Sequence, residues 1–593
     1  MKLKVFSILI LIILSSGCFA AEWNVVDAGA VGDATTDNTA IFQKVIDDAD
    51  KAGGGIVNVP AGKFRINGNL TIPSGVILQG TYRLTPSARG KTIETLVGSV
   101  LLAYAGRGSY EGEPFINLKG HASGVAGLII AYPEWKKSDV PPVPYPPCIY
   151  SNFTDNVAVI DCCILYAYEA IRLQRAARHL IRNVQGYPSW RGIYVDECYD
   201  VGRIENVHFC PIGLGYKVDD PYCKWVNTNG VAFEFARTDW QYVLNTFCFG
   251  YGVGYKFSES KHGCANGNFL GIAADSTRRP ILVEQASPYG LLITNGEFVG
   301  QWNSTDSIGV EILEKCSGKI SLTNSSFWGT LDKVIWQRGN DSQVTVNACT
   351  FINWDAKGNG AAAIEVDGGR AIVQGNTFND EKLQVRIGKN VKSAMLIGNQ
   401  ASGGFLAENN AGKRTASTAN EESKVIWSDV AKNHYRLFIG TEGDGRYIRR
   451  WEGSEKSNEK GTSPTKRWSG VNSQLVLPVQ PGKAYILNME LFIPQQAMKP
   501  GAGIYLGKTQ IAKFNKAGKA VVSGKIPPSK GNSITLNIDC NNWVPKDYDP
   551  NNGDTRKLGV TLYYVSLKAH GSDPKRVFDA NTGEWISIMT NKK

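Results

Sequence analysis

The forty residues VVDAGAVGDATTDNTAIFQKVIDDADKAGGGIVNVPAGKF, Val25 to Phe64, decide the fold. They pass from a short strand through an Asp/Thr/Gly-rich turn into one amphipathic helix, then a triple glycine and a second strand. A doubly wound nucleotide-binding fold needs that unit again and again, and it does not recur. About 330 residues of short strands follow, with almost no helical periodicity. Ile41, Phe42, Val45 and Ile46 share one face at helical spacing, Thr36 or Asp37 can cap the start, and Gly53 to Gly55 end the helix.

From about residue 155 to 400 a loose phrase repeats: an apolar strand, Asn, one or two small residues, Phe, a turn and another strand. It brings Phe209, Phe247, Phe269, Phe298, Phe327, Phe351 and Phe378, at intervals of 38, 22, 29, 29, 24 and 27 residues. Self-similarity at this period marks a solenoid. Short β-branched and aromatic strands between Gly/Asn/Asp turns make it a β-solenoid. The expected fold is all-β: a single-stranded right-handed parallel β-helix with three strands per coil, then a C-terminal antiparallel β-sandwich. The exposed apolar end of such a stack needs a cover, and the Asp37–Ala52 helix supplies one. Phe and Asn ladders are the expected interior.

The segment from Val25 to Gly80 resembles the entry segment of the pectate-lyase-like superfamily, which includes the polygalacturonases. The likeness is close over residues 24–80 and architectural over residues 120–400. It implies an extended groove for a polysaccharide. The superfamily holds hydrolases, lyases and non-catalytic binders, so fold does not set the reaction.

At 593 residues the chain exceeds what one core supports, so at least two domains are expected. Residues 1–20 read as a signal peptide: Lys2 and Lys4, an apolar run from Val5 to Leu14, then cleavage after Ala20. The exported product is expected to be secreted or periplasmic. LSSGC, Leu14 to Cys18, also resembles a lipoprotein signal, which makes Cys18 a candidate lipid anchor in an outer-membrane alternative. The β-helix is expected over 21–402, a linker over 403–424, and the sandwich, a candidate carbohydrate-binding module, over 425–593. Residues 421–593 hold 26 Lys and Arg against 16 Asp and Glu, so the whole basic excess lies there. An anionic glycan is one partner this charge suits. Basic residues are not interleaved with aromatics in the solenoid, which disfavours nucleic acid. Without Cys18 the cysteines number 11, mostly inside strands, and read as packed thiols. With six histidines and no CxxC pair, no metal site is expected.

Glycoside hydrolysis needs two carboxylates across the bond, about 5–5.5 Å apart for retention or about 6.5–9.5 Å for inversion. The candidate catalytic residues are Asp196, Asp219, Asp220, Glu234 and Asp239, with Arg237. Asp196 and Asp219 lie about one coil apart, and Phe233 and Phe235 should face inward with Glu234 outward. A lyase instead needs a base and a group to neutralise a uronate carboxylate, either Ca²⁺ or a cation. Lys217, Lys224, Arg237, Lys256 and His262 are the candidates. Trp225, Trp240, Tyr242, Trp302, Trp328 and Trp336 fall near turns and suit sugar rings. The favoured reading is an exported bacterial glycoside hydrolase. A polysaccharide lyase and a non-catalytic glycan binder are the alternatives.

Overall fold

The computed structural model describes residues 23–83, 93–210, 217, 219–302, 304–422, 427–457, 464–549, 551–569 and 576–587. The expected signal peptide and Cys18 lie outside them. Among the described residues no helix is long and apolar enough to cross a membrane.

Short strands follow one another in three parallel sheets, so each coil contributes a strand to each sheet. The first sheet runs from Trp23–Asn24 through Gly55–Asn58 and Val76–Gln79 to Thr415–Thr418. The second runs from Asp33–Asp37 through Gly62–Ile66 to Gln400–Ala401. Ala158–Leu165, Leu180–Tyr187 and Arg203–Phe209 are long enough to cross both. The third sheet stacks 13 strands from Leu70–Ile72 to Ala407–Asn409. Parallel pairing throughout, with a crossover after each strand, is the right-handed β-helix expected.

The interior is built by the pleat, which sends alternate side chains inward. Phe298, Phe327, Phe351 and Phe378 stack at 5.2, 5.5 and 4.7 Å between ring centroids. Asn376 donates to Asn399 at 2.9 Å, and Asn399 to Asn420 at 2.8 Å, so buried amides satisfy one another along the axis. Phe247 departs from the expected ladder: it pairs in register with His208 and Ala273 while its neighbour Cys248 fills the core. Eleven cysteines are described, none of them in a disulfide and most of them buried.

Helix α1 (Thr39–Lys51) covers the first coil with Phe42, Val45, Ile46 and Ala49. Phe42 meets Phe64 edge-on at 5.4 Å. Burying Phe42, Val45 and Ile46 contributes about 1.5–3 kcal/mol each. Asp37 takes the Thr39 N–H at 3.0 Å, while Asn38 at the cap position turns its amide to Val31 and Thr36 instead. After the C-cap Ala52, Gly53 turns the chain with φ at 97°; Gly54 follows with φ at 108°, and a Cβ there would sit 2.8 Å from the Gly75 carbonyl.

The stretch expected as a linker does something else. Ala407–Asn409 pairs with Val385–Ile387, and Thr415–Thr418 with Ser393–Ile397, so the solenoid runs one coil further than residue 402. Its Thr/Asn/Ser composition hides this because a terminal coil has no neighbour to bury its outer side chains. Beyond it lie two sheets. Tyr485–Ile493 pairs antiparallel with Gly518–Ile526 and Thr561–Ala569. Thr465–Pro478 pairs antiparallel with Ile448–Trp451 and Ser533–Asp539. The core between them holds Leu437, Leu475, Leu487, Met489, Leu536 and Leu567. One pair, Tyr435–Phe438 with Arg576–Asp579, is parallel, a departure from a purely antiparallel sandwich.

Candidate active site

Four consecutive strands of the third sheet position the site: Glu169–Gln174, Arg191–Asp196, Val231–Phe235 and Val253–Phe257. Ile171, Ile193, Phe233 and Tyr255 stack in register and face the core. The pleat therefore turns Arg172, Tyr194, Glu234 and Lys256 outward as one row, one coil or about 4.8 Å apart.

Arg191 is the hub. Its Nε donates to Glu169 Oε1 at 2.7 Å, Nη1 to Glu234 Oε2 at 2.9 Å, and Nη2 to the Tyr110 hydroxyl at 3.0 Å. Tyr110 in turn donates to Glu169 Oε2 at 2.7 Å, and Arg172 Nε donates to the same oxygen at 3.1 Å. Lys256 bridges Glu234 and Glu284, each at 3.2 Å. Flat guanidinium faces lie on rings: Arg191 on Trp190 at 4.4 Å and Tyr194 at 4.3 Å, and Arg172 on Tyr110 at 4.9 Å. Trp190 stacks on Tyr168 and meets Tyr110 edge-on.

Burial sets the electrostatics. Glu169 is fully enclosed, and desolvation raises its carboxyl to about 7 even though Arg191 pulls the other way. Burial also works upward on Glu234, but the charges of Arg191 and Lys256 outweigh it and hold this carboxyl below its ordinary value. Arg172 is lowered to about 10, by burial first and then by the Arg191 charge. Tyr194 is raised by burial, with Asp196 and Glu234 adding to it.

The row continues into the turn after Asp196. Asp196 Oδ1 accepts from the Glu197 and Arg237 backbones at 2.9 and 3.0 Å and from Ser260 at 2.9 Å, and Oδ2 accepts from the Tyr194 hydroxyl at 3.3 Å. Glu197 lies 2.6 Å from both Arg175 Nε and His262 Nδ1. A substrate arriving from solvent meets the partly open Arg172, Lys256, Tyr194 and His262, whereas Glu169, Arg191 and Glu234 stand behind them.

The structure thus brings together Asp196, Glu234, Lys256 and His262 from the sequence reading, with Phe233 and Phe235 inward as expected. Arg237 and Asp239 sit beside them but form a bidentate pair with each other, Nη2 to Oδ2 at 2.8 Å, and Asn266 donates to Asp239 at 2.8 Å. Asp220 is occupied structurally: it caps helix α2 (Pro221–Asn229) through Tyr222 and Cys223 N–H and pairs with Lys137 at 3.0 Å. Asp219 stands almost fully in solvent, 3.5 Å from the exposed Lys224, and Lys217 is exposed as well. Asp219 lies just ahead of α2 in the long connection between Arg203–Phe209 and Val231–Phe235, not on a strand of the third sheet, and this parts it from Asp196. Trp225 packs against the core, while Trp240, Tyr242 and Trp302 are exposed. Trp328 meets Trp302 at 5.9 Å and bonds Glu297, and Trp336 bonds Asp367.

Tyr110, Glu169, Arg172, Arg191 and Tyr194 were not among the sequence candidates. Alternation finds two of them: EAIRLQ and RGIYVD place Arg172 and Tyr194 on outward positions one coil apart, whereas Glu169 and Arg191 stand at the strand starts in phase with the core residues and Tyr110 lies in a loop. Among the described residues no three His, Cys, Asp or Glu side chains gather as metal ligands. Glu169, Glu234 and Glu284 are engaged by Arg or Lys, a donor set that does not fit Ca²⁺.

The fold and this outward row define a parallel β-helix with a cation- and tyrosine-rich face. Residues 23–103 match the family of rhamnogalacturonase A/epimerase, pectate lyase-like proteins. That match stops before Tyr110, so it contains no residue of the site. Mannuronan C5-epimerase AlgE5 of Azotobacter vinelandii is 35% identical over 123 residues, 18% of this chain and 12% of the epimerase. Alginate lyase 7 of the same organism is 40% identical over 77 residues, 13% of this chain and 9% of the lyase. The chain therefore spans about an eighth or less of these two relatives. Among solved structures, the pre-mature bacteriophage phi29 gene product 12 superposes with a TM-score of 0.50 at 13% identity, covering 68% of this chain and 56% of that one. At that identity the likeness concerns the fold alone.

Proposed function

We propose that the protein is an enzyme acting on an acidic, uronate-containing polysaccharide, and that its chemistry begins by removing the proton beside the uronate carboxylate. The observation that carries this reading is the face offered to solvent: Arg172 and Lys256 with Tyr194 and His262 between and beside them, backed by a buried network that fixes their positions. In this reading Arg172 and Lys256, three coils apart along the row, bind carboxylates of different sugar units, and the cation beside the reacting unit neutralises its carboxylate, so that the electron pair left when the C5–H bond breaks can pass into it. Tyr194, whose hydroxyl is held by Asp196, and His262, oriented by Glu197, move the protons. If the C4–O bond then breaks, the leaving oxygen takes a proton and the reaction is an elimination. If C5 instead regains a proton from the other side, the sugar is inverted. The relatives named mannuronan C5-epimerase and alginate lyase, alike in part of their sequence, support the substrate class.

A second reading, hydrolysis, has one observation in its favour. Glu169 keeps its proton up to about pH 7 while the neighbouring Glu234 is ionised, the split an acid and a base need. Both carboxyls stand behind the cations, which favours the first reading. Export through residues 1–20 and glycan binding by the basic sandwich are part of the same proposal. Incubation with uronate and neutral polysaccharides, reading new reducing ends and the absorbance of unsaturated ends together, tests it. Absorbing ends on a uronate polymer are the expected result of elimination. Reducing ends without absorbance, above all on a neutral polymer, would reject proton abstraction in favour of hydrolysis.

A further inference from the structure

Where the last coils meet the sandwich, the carboxylate of Glu381 accepts the Gly443 and Gly445 N–H groups at 2.8 and 3.2 Å, and Arg449 lies 3.2 Å from Asp355. Beside these contacts opens a cleft of about 620 Å³, walled by Asn353, Asn379 and Asp380 of the solenoid and by Thr441, Arg450 and Trp451 of the sandwich. Clefts between domains are favoured places for ligands.

Two features show that this cleft is built rather than left over. The strand Ile448–Trp451 is bulged: Arg449 pairs with Gln474 and Trp451 with Ser469, and between them Arg450 has φ at 60°. A long side chain in that backbone region is uncommon and costs energy, and such strain gathers at binding sites. The bulge sends Arg449 into the domain contact and leaves Arg450 and Trp451 lining the cleft. The second feature is charge. Lys382 donates to the Trp354 carbonyl at 2.5 Å, Arg449 faces Asp355, and Arg467 holds Asp444 at 2.8 Å. Arg450 has no ion pair among the described residues and is exposed over Gly358, with Glu442 on the exposed part of the lining. The Trp451 indole is fixed by its N–H on the Gln474 carbonyl at 2.9 Å.

We infer that this cleft is a second saccharide-binding site, separate from the third-sheet face, and that it takes one acidic sugar unit. Arg450 holds the anionic group, the Trp451 ring lies along the sugar, and the amides of Asn353 and Asn379 with the Asp380 carboxylate meet hydroxyls. The ligand class rests on the proposed uronate chemistry; the site itself rests on the bulge and the cleft.

The test is titration calorimetry of the full chain with triuronates from alginate and from pectate, on the wild type, Arg450→Gly and Arg172→Ala. Glycine suits φ at 60° and relieves the strain there, so Arg450→Gly should keep or raise the melting temperature. Two sites are expected on the wild type, with Arg450→Gly removing one or weakening it at least tenfold and Arg172→Ala affecting only the other. A single site lost in Arg172→Ala and intact in Arg450→Gly would overturn the cleft and leave the proposed function standing. A single site lost only in Arg450→Gly would uphold the cleft and count against the third-sheet face. No binding to either oligomer would overturn both.

Discussion

Replacing Glu169 by Gln should change how stability depends on pH. Glu169 is fully buried, and its carboxyl lies at about 7 against an ordinary 4.5. Between those values the folded protein holds a proton that the unfolded chain has released, so stability falls as pH rises through this window. The stabilisation is complete below about pH 4.5 and gone above about pH 7. At about 1.4 kcal/mol per pKa unit, the difference amounts to about 3 kcal/mol. Glutamine keeps one of the two acceptor oxygens, enough for Arg191 Nε, and cannot titrate. Urea unfolding followed by circular dichroism at pH 5 and pH 8 on both proteins isolates this group, because the other titrations are common to the pair. Relative to Glu169→Gln, the wild type should lose about 2–3 kcal/mol on going from pH 5 to pH 8. Equal pH dependences would show that Arg191, Arg172 and Tyr110 keep Glu169 ionised throughout, and would refute the claim that burial prevails.

Phe351→Ala opens a hole in a ladder whose rings touch on both sides, and should cost about 3–5 kcal/mol, read as a lowered denaturation midpoint. Trp240→Ala, at a position 62% exposed, should leave stability within about 0.5 kcal/mol while weakening retention on a polysaccharide affinity gel. Arg172→Ala should lower kcat/KM on the uronate substrate by on the order of 10²-fold, because a positioned donor to developing charge is removed. Melting temperatures with and without reductant should agree, since no described cysteine is in a disulfide.

Much of the fold is legible in the sequence because a solenoid writes its packing locally. The helix stripe Phe42, Val45, Ile46 and the recurrent Phe298, Phe327, Phe351 and Phe378 each name a core position without reference to distant residues. The end of the solenoid is less legible: Ala407–Asn409 and Thr415–Thr418 pair on one side only and have no apolar face to announce them. The site is harder still. Glu234 and Lys256 can be picked out as outward residues, but the residues that hold Glu234 are Arg191, 43 positions earlier, and through it Tyr110. Tyr110 comes from a loop whose destination no local pattern specifies. Asp219 and Asp220 show the reverse error: they fall in the long connection that leads into α2 rather than on a sheet strand, so a separation of one coil length in sequence does not set them one coil from Asp196.

The most direct test of the central claim is nuclear magnetic resonance of alginate and pectate incubated with the protein in D₂O. Abstraction of the C5 proton predicts deuterium at C5 of the polymer, or unsaturated non-reducing ends, and loss of either signal in Arg172→Ala. Chain cleavage that leaves every C5–H intact and creates only saturated ends would contradict it.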